Sequence, residues 1–466
     1  MKSRCLVLTA TLILGSCTVG PDFHAPGFTG GSKWKETKVV PGTHLPDAWW
    51  CLFNDRELTR LVDRALLANN DLAAAKARMD TSRALVGVDR ARLFPTLNLN
   101  GSAGISRVAK DPTTHNIPLP ISINLESQDY RGTFNLAYDP DLWGRNKRQL
   151  EASRAQAESS QAMLDWQRLG VATEVARQYF LLRGLDSQEA VLKHTIETRQ
   201  STLSLQISKA DAGLIDGLST SQARTELELA RNDLAAVERQ RGAAEHALAV
   251  LCGTTPAGFS VSHREVSGTV PTIRAGLPAE VLNRRPDVRA AEETLHAANA
   301  RIGVAQAAFY PNFNLSGTAG FESVDVKRFL NWENRVLALG TGVAAPILDA
   351  GTNKANYQAA LARRDEALAT YRNTLLVALR EVEDALVDLK SLAISHTALA
   401  QALASARDTL RLSQERYDKG LSSYLEVVDA DRNVLRIQLV LAQLEAQQRI
   451  TLAILAKALG GGWSGK

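Results

Sequence analysis

Between Thr96 and Ile105 the chain alternates. Leu97, Leu99, Gly101, Ala103 and Ile105 give one apolar or small face, and Thr96, Asn98, Asn100 and Ser102 give a polar one. A period of two predicts a strand with two unlike faces. The alternation returns at Phe313, Leu315, Gly317, Ala319 and Phe321, set against Asn312, Asn314, Ser316 and Thr318. Each of these strands predicts a partner, through Phe134, Leu136 and Tyr138 in the first case and Leu337, Leu339, Thr341 and Val343 in the second. The connections are polar or proline-bearing, a long one over 106–130 and a shorter one over 322–335. Segments of about ten residues with this alternation mark membrane-barrel strands. A half-buried soluble sheet reads the same way, strand by strand.

The rest of the chain follows a helical period. Helices are predicted over 71–93 and 287–309, each stopped by a proline. From 145 to about 210 the pattern is close to unbroken, with Leu164, Val171, Val175, Leu182 and Leu185 recurring at helical steps. At ~1.5 Å per residue that helix is roughly 100 Å long. The stretch 353–417 repeats it, and helical returns follow over 219–251 and 421–459. In the last, Val427, Val434 and Leu441 sit beside Val428, Leu435 and Ala442 at a heptad spacing suited to coiled coils. These helices are alanine-rich with narrow apolar stripes, so they need helical neighbours on both sides, as in a wall.

Strands and helices recur because the chain is written twice. ARLFPTLNLNGSAG (91–104) and AAFYPNFNLSGTAG (307–320) share seven of fourteen positions. WGRNK (143–147) answers AGTNK (350–354), and KADAGL (209–214) answers RYDKGL (416–421), in the same order. So long a period means two large structural repeats and not a solenoid. The predicted division is 71–253 for the first repeat, 254–286 for a linker and 287–459 for the second, with strand pairs near 96–140 and 312–346 and a short tail over 460–466. Four strands form an open sheet, whose edges cannot lie unpaired in lipid. The smallest bacterial barrels have about eight strands, so two copies suffice and three would give about twelve. The helical hairpins, open on both sides, call for the same closure.

The first residues add a destination. MKSRCLVLTATLILGSC has Lys2 and Arg4, an apolar run and then small residues, the layout of a secretory signal over 1–16. Its ending LGSC matches a bacterial lipobox, with Cys17 as the lipidated first residue of the mature chain, opening the 17–70 segment. Thr18 follows where an aspartate would suggest inner-membrane retention. Losing Lys2 and Arg4 lowers the net charge from +4 to +2, which with no basic run excludes a nucleic-acid binder. Cys51 and Cys252 remain, too far apart for a metal motif and expected as two buried thiols rather than a disulfide.

No enzyme is legible. The eight histidines form no zinc pair, and no nucleophile elbow, phosphate loop or dinucleotide fingerprint occurs. Apart from the lipid on Cys17, no cofactor is expected.

The motifs CTVGPDF, DAWWCLFNDREL, ARLFPTLNL, DPDLWGR, GLPAEVLNRRPDVRAAE, ARIGVAQAAFYPNFNLSG and RYDKGLSSYLEVVDADR together resemble the TolC-type outer membrane factors of tripartite efflux systems, in their lipoprotein branch. The resemblance covers essentially the whole mature chain. It implies a homotrimer with α and transmembrane β parts: a twelve-stranded outer-membrane β-barrel, four strands per chain, continuous with a twelve-helix periplasmic α-barrel. It implies a passive duct whose partners are outer membrane lipid, a periplasmic adaptor protein and an inner-membrane RND-type pump. By resemblance, Glu426 and Asp429 line a closed periplasmic aperture, Tyr417 is a latch, and the tips Gly213, Leu214, Gly420, Leu421 and Ser422 dock the adaptor. Glu426 also fits a capping box with Ser423, and Asp216 reads equally as a helix cap or a gate residue. Ser219 stands where the second repeat has Glu426, which puts the family's cross-hairpin salt link at the tip in doubt. The RRPD stretch (284–287) reads as a helix start. The rival is a periplasmic lipoprotein adaptor or coiled-coil scaffold that never spans the membrane, but adaptors carry one hairpin and this chain repeats hairpin plus strand pair.

Overall fold

The computed structural model describes residues 18–27, 34–36, 45–107, 126–266, 268–271, 273 and 278–461. The signal segment, Cys17, the middle of the long strand connection and residues 462–466 lie outside the described residues. In chain order come α1 (Arg56–Ala68), α2 (Asn70–Ala91), β1 (Thr96–Arg107), β2 (Glu126–Tyr138), α3 (Arg145–Asp211) and α4 (Gly217–Leu251). The second repeat follows as α5 (Pro278–Arg284), α6 (Pro286–Ala307), β3 (Asn312–Ser323), β4 (Arg335–Ala344), α7 (Thr352–Asp418) and α8 (Tyr424–Ala458). The long helices α3 and α7 are 67 residues each and their returns α4 and α8 are 35 each, so the duplication holds to the residue. Among the described residues no helix is long and apolar enough to cross a membrane.

Two compact units form. The first gathers the described residues up to Pro26 with Asp80–Glu158 and Glu292–Ala369; the second gathers those of Gly27–Met79, Ser159–Ala291 and Thr370–Lys466. Both draw on both repeats, because α3 and α7 each contribute to both.

The first unit holds one antiparallel sheet in the order β1-β2-β3-β4. Leu97 pairs with Leu136 and Leu99 with Phe134, so the apolar faces of β1 and β2 coincide. Phe134 pairs with Ala319 and Leu136 with Gly317, then Ala319 with Leu337 and Gly317 with Leu339, which carries the apolar face across. The other face is mostly polar over β1, β2 and β3, with Asn98, Asn100, Thr133, Asn135 and Thr318, and turns apolar on β4 at Val336 and Ala338. Thr318 donates to Asn135 Oδ1 at 3.0 Å, and Arg131 meets Glu322 at 3.1 Å. Both faces are largely exposed in the single chain, with β1 exposed along its whole length. The strands run further than the alternation indicated, to Arg107 and from Glu126, which shortens the long connection. Among the described residues the backbone of β1 and β4 has no strand partner on the outer side.

The segment after Cys17 lies along this unit. Val19 N–H donates to Trp143 O at 3.1 Å, while the buried Arg148 donates to Val19 O, Gly20 O and Asp22. The VGPDF motif is therefore a docked strap.

The second unit is built on a large apolar cluster around Trp49, Leu58, Val175, Tyr179, Leu192 and Leu248. Asp55 caps α1 and accepts from Tyr179 Oη at 2.7 Å. Asp186, buried, is bound by Arg183 and Arg241, and these arginines also hold the carbonyls of Ser262 and Val261, fixing the linker. Arg285 is 1% exposed and bridges Asp287 and Glu381, each at 2.7 Å, beside Trp166. The RRPD stretch is thus the start of α6, as read, and a buried ionic joint too. One expectation fails: only Cys252 is buried, and Cys51 is exposed. The short helical turn Trp49–Phe53 points both tryptophans into the core and turns the sulfur of the residue that follows them outward. The two thiols are free.

Candidate gate at the hairpin tips

Each hairpin turns on a glycine, for a reason visible in the backbone. After α3, Gly213 N–H bonds to Ala210 O and Leu214 N–H to Lys209 O. After α7, Gly420 bonds to Tyr417 O and Leu421 to Arg416 O. These are matched Schellman turns, and both glycines have φ of 71°, a left-handed conformation that a side chain strains. The leucines that follow are not folded in: Leu214 is 74% exposed and Leu421 66%. Ser422 has its hydroxyl buried with no hydrogen-bond partner.

Chain direction reverses into α4 and α8 through different caps. Asp216 caps α4 by accepting from Leu218 N–H at 3.2 Å, which favours the cap over the gate for this residue. Ser423 holds the equivalent place before α8 but makes no side-chain capping bond, so the capping box is not formed. Glu426 is left exposed, on the same face as Asp429. Asp429 lies 3.6 Å from Arg432, one turn on.

Behind this exposed acidic face the hairpins are tied together. Tyr417, on α7, donates to Gln206 Oε1 of α3 at 3.1 Å, and its ring packs 5.4 Å from Tyr424. Among the described residues it bonds to neither Glu426 nor Asp429. Burial, with Asp431 and Tyr417 adding to it, pushes the Tyr424 phenol up to about 12. Arg199 of α3, buried, donates to Asp431 of α8 at 2.7 Å and to Glu226 O of α4 at 2.7 Å. Glu226, also buried, accepts from Arg432 Nε at 2.9 Å. That hydrogen bond holds the Arg432 guanidinium above its ordinary pKa. A cavity of about 360 Å³ opens beside this network, lined by Arg199, Glu226, Arg407, Tyr424 and Asp431. The hairpins are joined by an ion-pair network of Arg199, Glu226, Asp431 and Arg432, which is distinct from the tip link put in doubt above. Sequence reading missed it. Its signal was the places where the repeats disagree, since Ala406, Asn433, Arg224 and Thr225 occupy the matching positions.

A four-stranded sheet with open edges among the described residues and two matched helical hairpins are the parts of one protomer of an outer-membrane channel. The chain belongs to the outer membrane efflux protein family, whose pattern matches residues 61–254 and 277–461. It is 32% identical to the solvent efflux pump outer membrane protein SrpC of Pseudomonas putida, over 100% of this chain and 99% of that one. It is 30% identical to the outer membrane protein OprJ of Pseudomonas aeruginosa, over 98% and 95%. In three dimensions it resembles the open state of the MtrE outer membrane channel of Neisseria gonorrhoeae with a TM-score of 0.84 and 28% identity, over 96% of this chain and 99% of that one. The fold class is the one these channels share: three chains give a twelve-stranded β-barrel and a twelve-helix barrel. The protein is an outer membrane efflux channel. The non-spanning scaffold reading is set aside, and the family is one of ducts rather than enzymes.

Breaking the tie at Arg199 takes the arginine partner from Asp431 and leaves the buried Glu226 with Arg432 alone. Arg199→Ala is expected to cost about 3 kcal/mol locally. Hydrogen exchange should then speed up in the first turns of α8 and around Tyr417, while the cluster around Tyr179 stays protected. Unchanged protection at the tip would show that the network does not hold the hairpins.

Proposed function

We propose that this chain is the exit duct of a tripartite pump, gated at its hairpin tips. Glu426 and Asp429, repeated in three copies, set six carboxylates around one narrow aperture. Like charges in a small opening attract cations and repel one another, so the ring filters ions and stores a tendency to open. Tyr417 and the Arg199–Glu226–Asp431–Arg432 network oppose that tendency from the buried side. The observation that carries this reading is a partial segregation: Arg199, Glu226 and Asp431 pair between the hairpins, while Glu426 and Asp429 stay exposed, with the exposed Arg432 standing between the two sets.

Gly213, Leu214, Gly420, Leu421 and Ser422 dock the helical hairpin of a periplasmic adaptor. The support is two turns of matched geometry that each present an exposed leucine at a hairpin end. An inner-membrane RND-type pump supplies the energy and chooses the cargo, and the duct is passive. Apolar toxic molecules and drugs suit this role, since relatives are named for solvent, toluene and antibiotic efflux. Cys17 carries a lipid, and the docked strap behind it holds that anchor near the sheet. In membranes labelled with radioactive palmitate, label should enter the wild-type chain and not Cys17→Ser; equal labelling would remove the anchor.

For the gate, Glu426→Ala with Asp429→Ala should raise single-channel conductance in planar bilayers several-fold and weaken cation preference. Unaltered conductance and selectivity would sink the aperture assignment and leave the duct standing.

A further inference from the structure

The connection between β3 and β4 plays no part in conduction or gating, and its composition is odd for a loop in water. Val324, Val326, Leu330 and Trp332 are 71%, 60%, 74% and 73% exposed. They are not loosely held. Asn334 Nδ2 donates to Arg328 O at 2.6 Å, Ser323 Oγ donates to Asp325 O at 2.9 Å, and Asp325 caps the turn at Lys327 N–H. Arg335 donates to Trp332 O at 2.7 Å, and its guanidinium lies 4.7 Å over the indole ring.

Phe329 shows which side of the sheet this ordered loop covers. Its ring comes within 2.9 Å of where a Cβ on Gly132 would stand, and it packs edge-on to Phe321 at 6.3 Å. Gly132 and Phe321 are paired across β2 and β3. Both share the face of Phe134, Leu136 and Ala319, the apolar face, which in a membrane barrel looks out to lipid. Glycine at position 132 leaves the space that Phe329 fills. The loop thus folds outward over the lipid side and not inward over the lumen.

Its depth follows from the strands. β1 and β3 leave their helices at Thr96 and Asn312, so Ser323 and Arg335 lie at the opposite end of the sheet. Twelve residues at ~3.3 Å each, tilted about 40°, carry β3 through roughly 30 Å, the thickness of a hydrocarbon core. With the ends of α2 and α6 that lead into the strands on the periplasmic side, the far end of the sheet meets the outer leaflet. At this level aromatic rings favour the interface, and long cationic side chains reach from apolar surface to phosphate. The charges here are Lys327, Arg328 and Arg335 against Asp325, which caps the turn, and Glu333, which lies 3.8 Å from Arg328. Lys327 is exposed at the centre of the turn.

We propose that this connection is a foot resting in the outer-leaflet interface, with Val326, Leu330 and Trp332 among the lipid and Lys327 and Arg328 on phosphate-bearing headgroups. The inference rests on the outer-membrane channel reading. It explains why apolar side chains are held out rigidly beside cations: the surface they meet is apolar below and anionic above.

The test compares wild-type trimers with Trp332→Phe in vesicles of phosphatidylcholine and phosphatidylglycerol, with and without bromine on the acyl chains. The emission lost on substitution belongs to Trp332, and brominated lipid should quench most of it. Lys327→Gln with Arg328→Gln should retain several-fold less phosphatidylglycerol in native mass spectra while retaining phosphatidylcholine equally. Trp332 emission quenched by iodide and not by brominated lipid would overturn the foot. So would emission shielded from both quenchers, which would place a neighbouring chain on this surface. Conductance in the same vesicles tests the channel separately, and it should be unaltered in both variants.

Discussion

Everything in this molecule answers to the unpaired edges of one sheet. β1 and β4 each present a row of backbone donors and acceptors with no strand outside them among the described residues. In water such an edge is a hazard, but in hydrocarbon it is forbidden, because each unmet group costs several kcal/mol. The chain cannot repair this by itself. Its other copy of the strand pair is already used, joined through β2 and β3 at the centre of the arc. Only further chains supply edges, and closure then fixes an outward apolar face and an inward polar one. The long helices inherit the same condition, being amphipathic on narrow stripes and incomplete without neighbours.

The two ends of the helical hairpins are held by different physics. Near the linker, a broad cluster with buried tryptophans and aliphatics encloses α1, α3 and α4, reinforced by the Asp186 and Arg285 joints. Near the tips the apolar contact shrinks to Leu203, Ala223, Leu227, Tyr424, Val427 and Val428. What remains there is a charge network of few members, with Arg199 and Glu226 buried and Asp431 and Arg432 closing it from the partly exposed side. Such regions occupy the low-stability end of a fold, which is where a moving element has to be.

Much of this could be read in the sequence because duplication doubles every signal. The alternation around Leu99 is weak alone, but with Leu315 behind the same proline it located four strands, and turn glycines at 213 and 420 located both hairpins. The long helices were legible since nothing interrupts their period. What escaped depended on distance or direction. Arg199 and Asp431 lie 232 residues apart and meet only in the folded chain. Ser423 spells a capping box that the backbone does not use. Cys51 was misjudged because hydrophobic neighbours at 49 and 50 do not say which way a single turn faces. The fold of Phe329 onto Gly132 has no sequence signature at all, only a glycine in a strand.

The most direct measurement is the mass of the particle released from membranes in mild detergent, by native mass spectrometry before any heating. Three chains per particle, falling to one only when heat also abolishes the β-sheet signal, is the result this account requires. A folded particle of one chain that keeps its sheet would contradict it, since an arc with two bare edges would then be stable where lipid should not allow it.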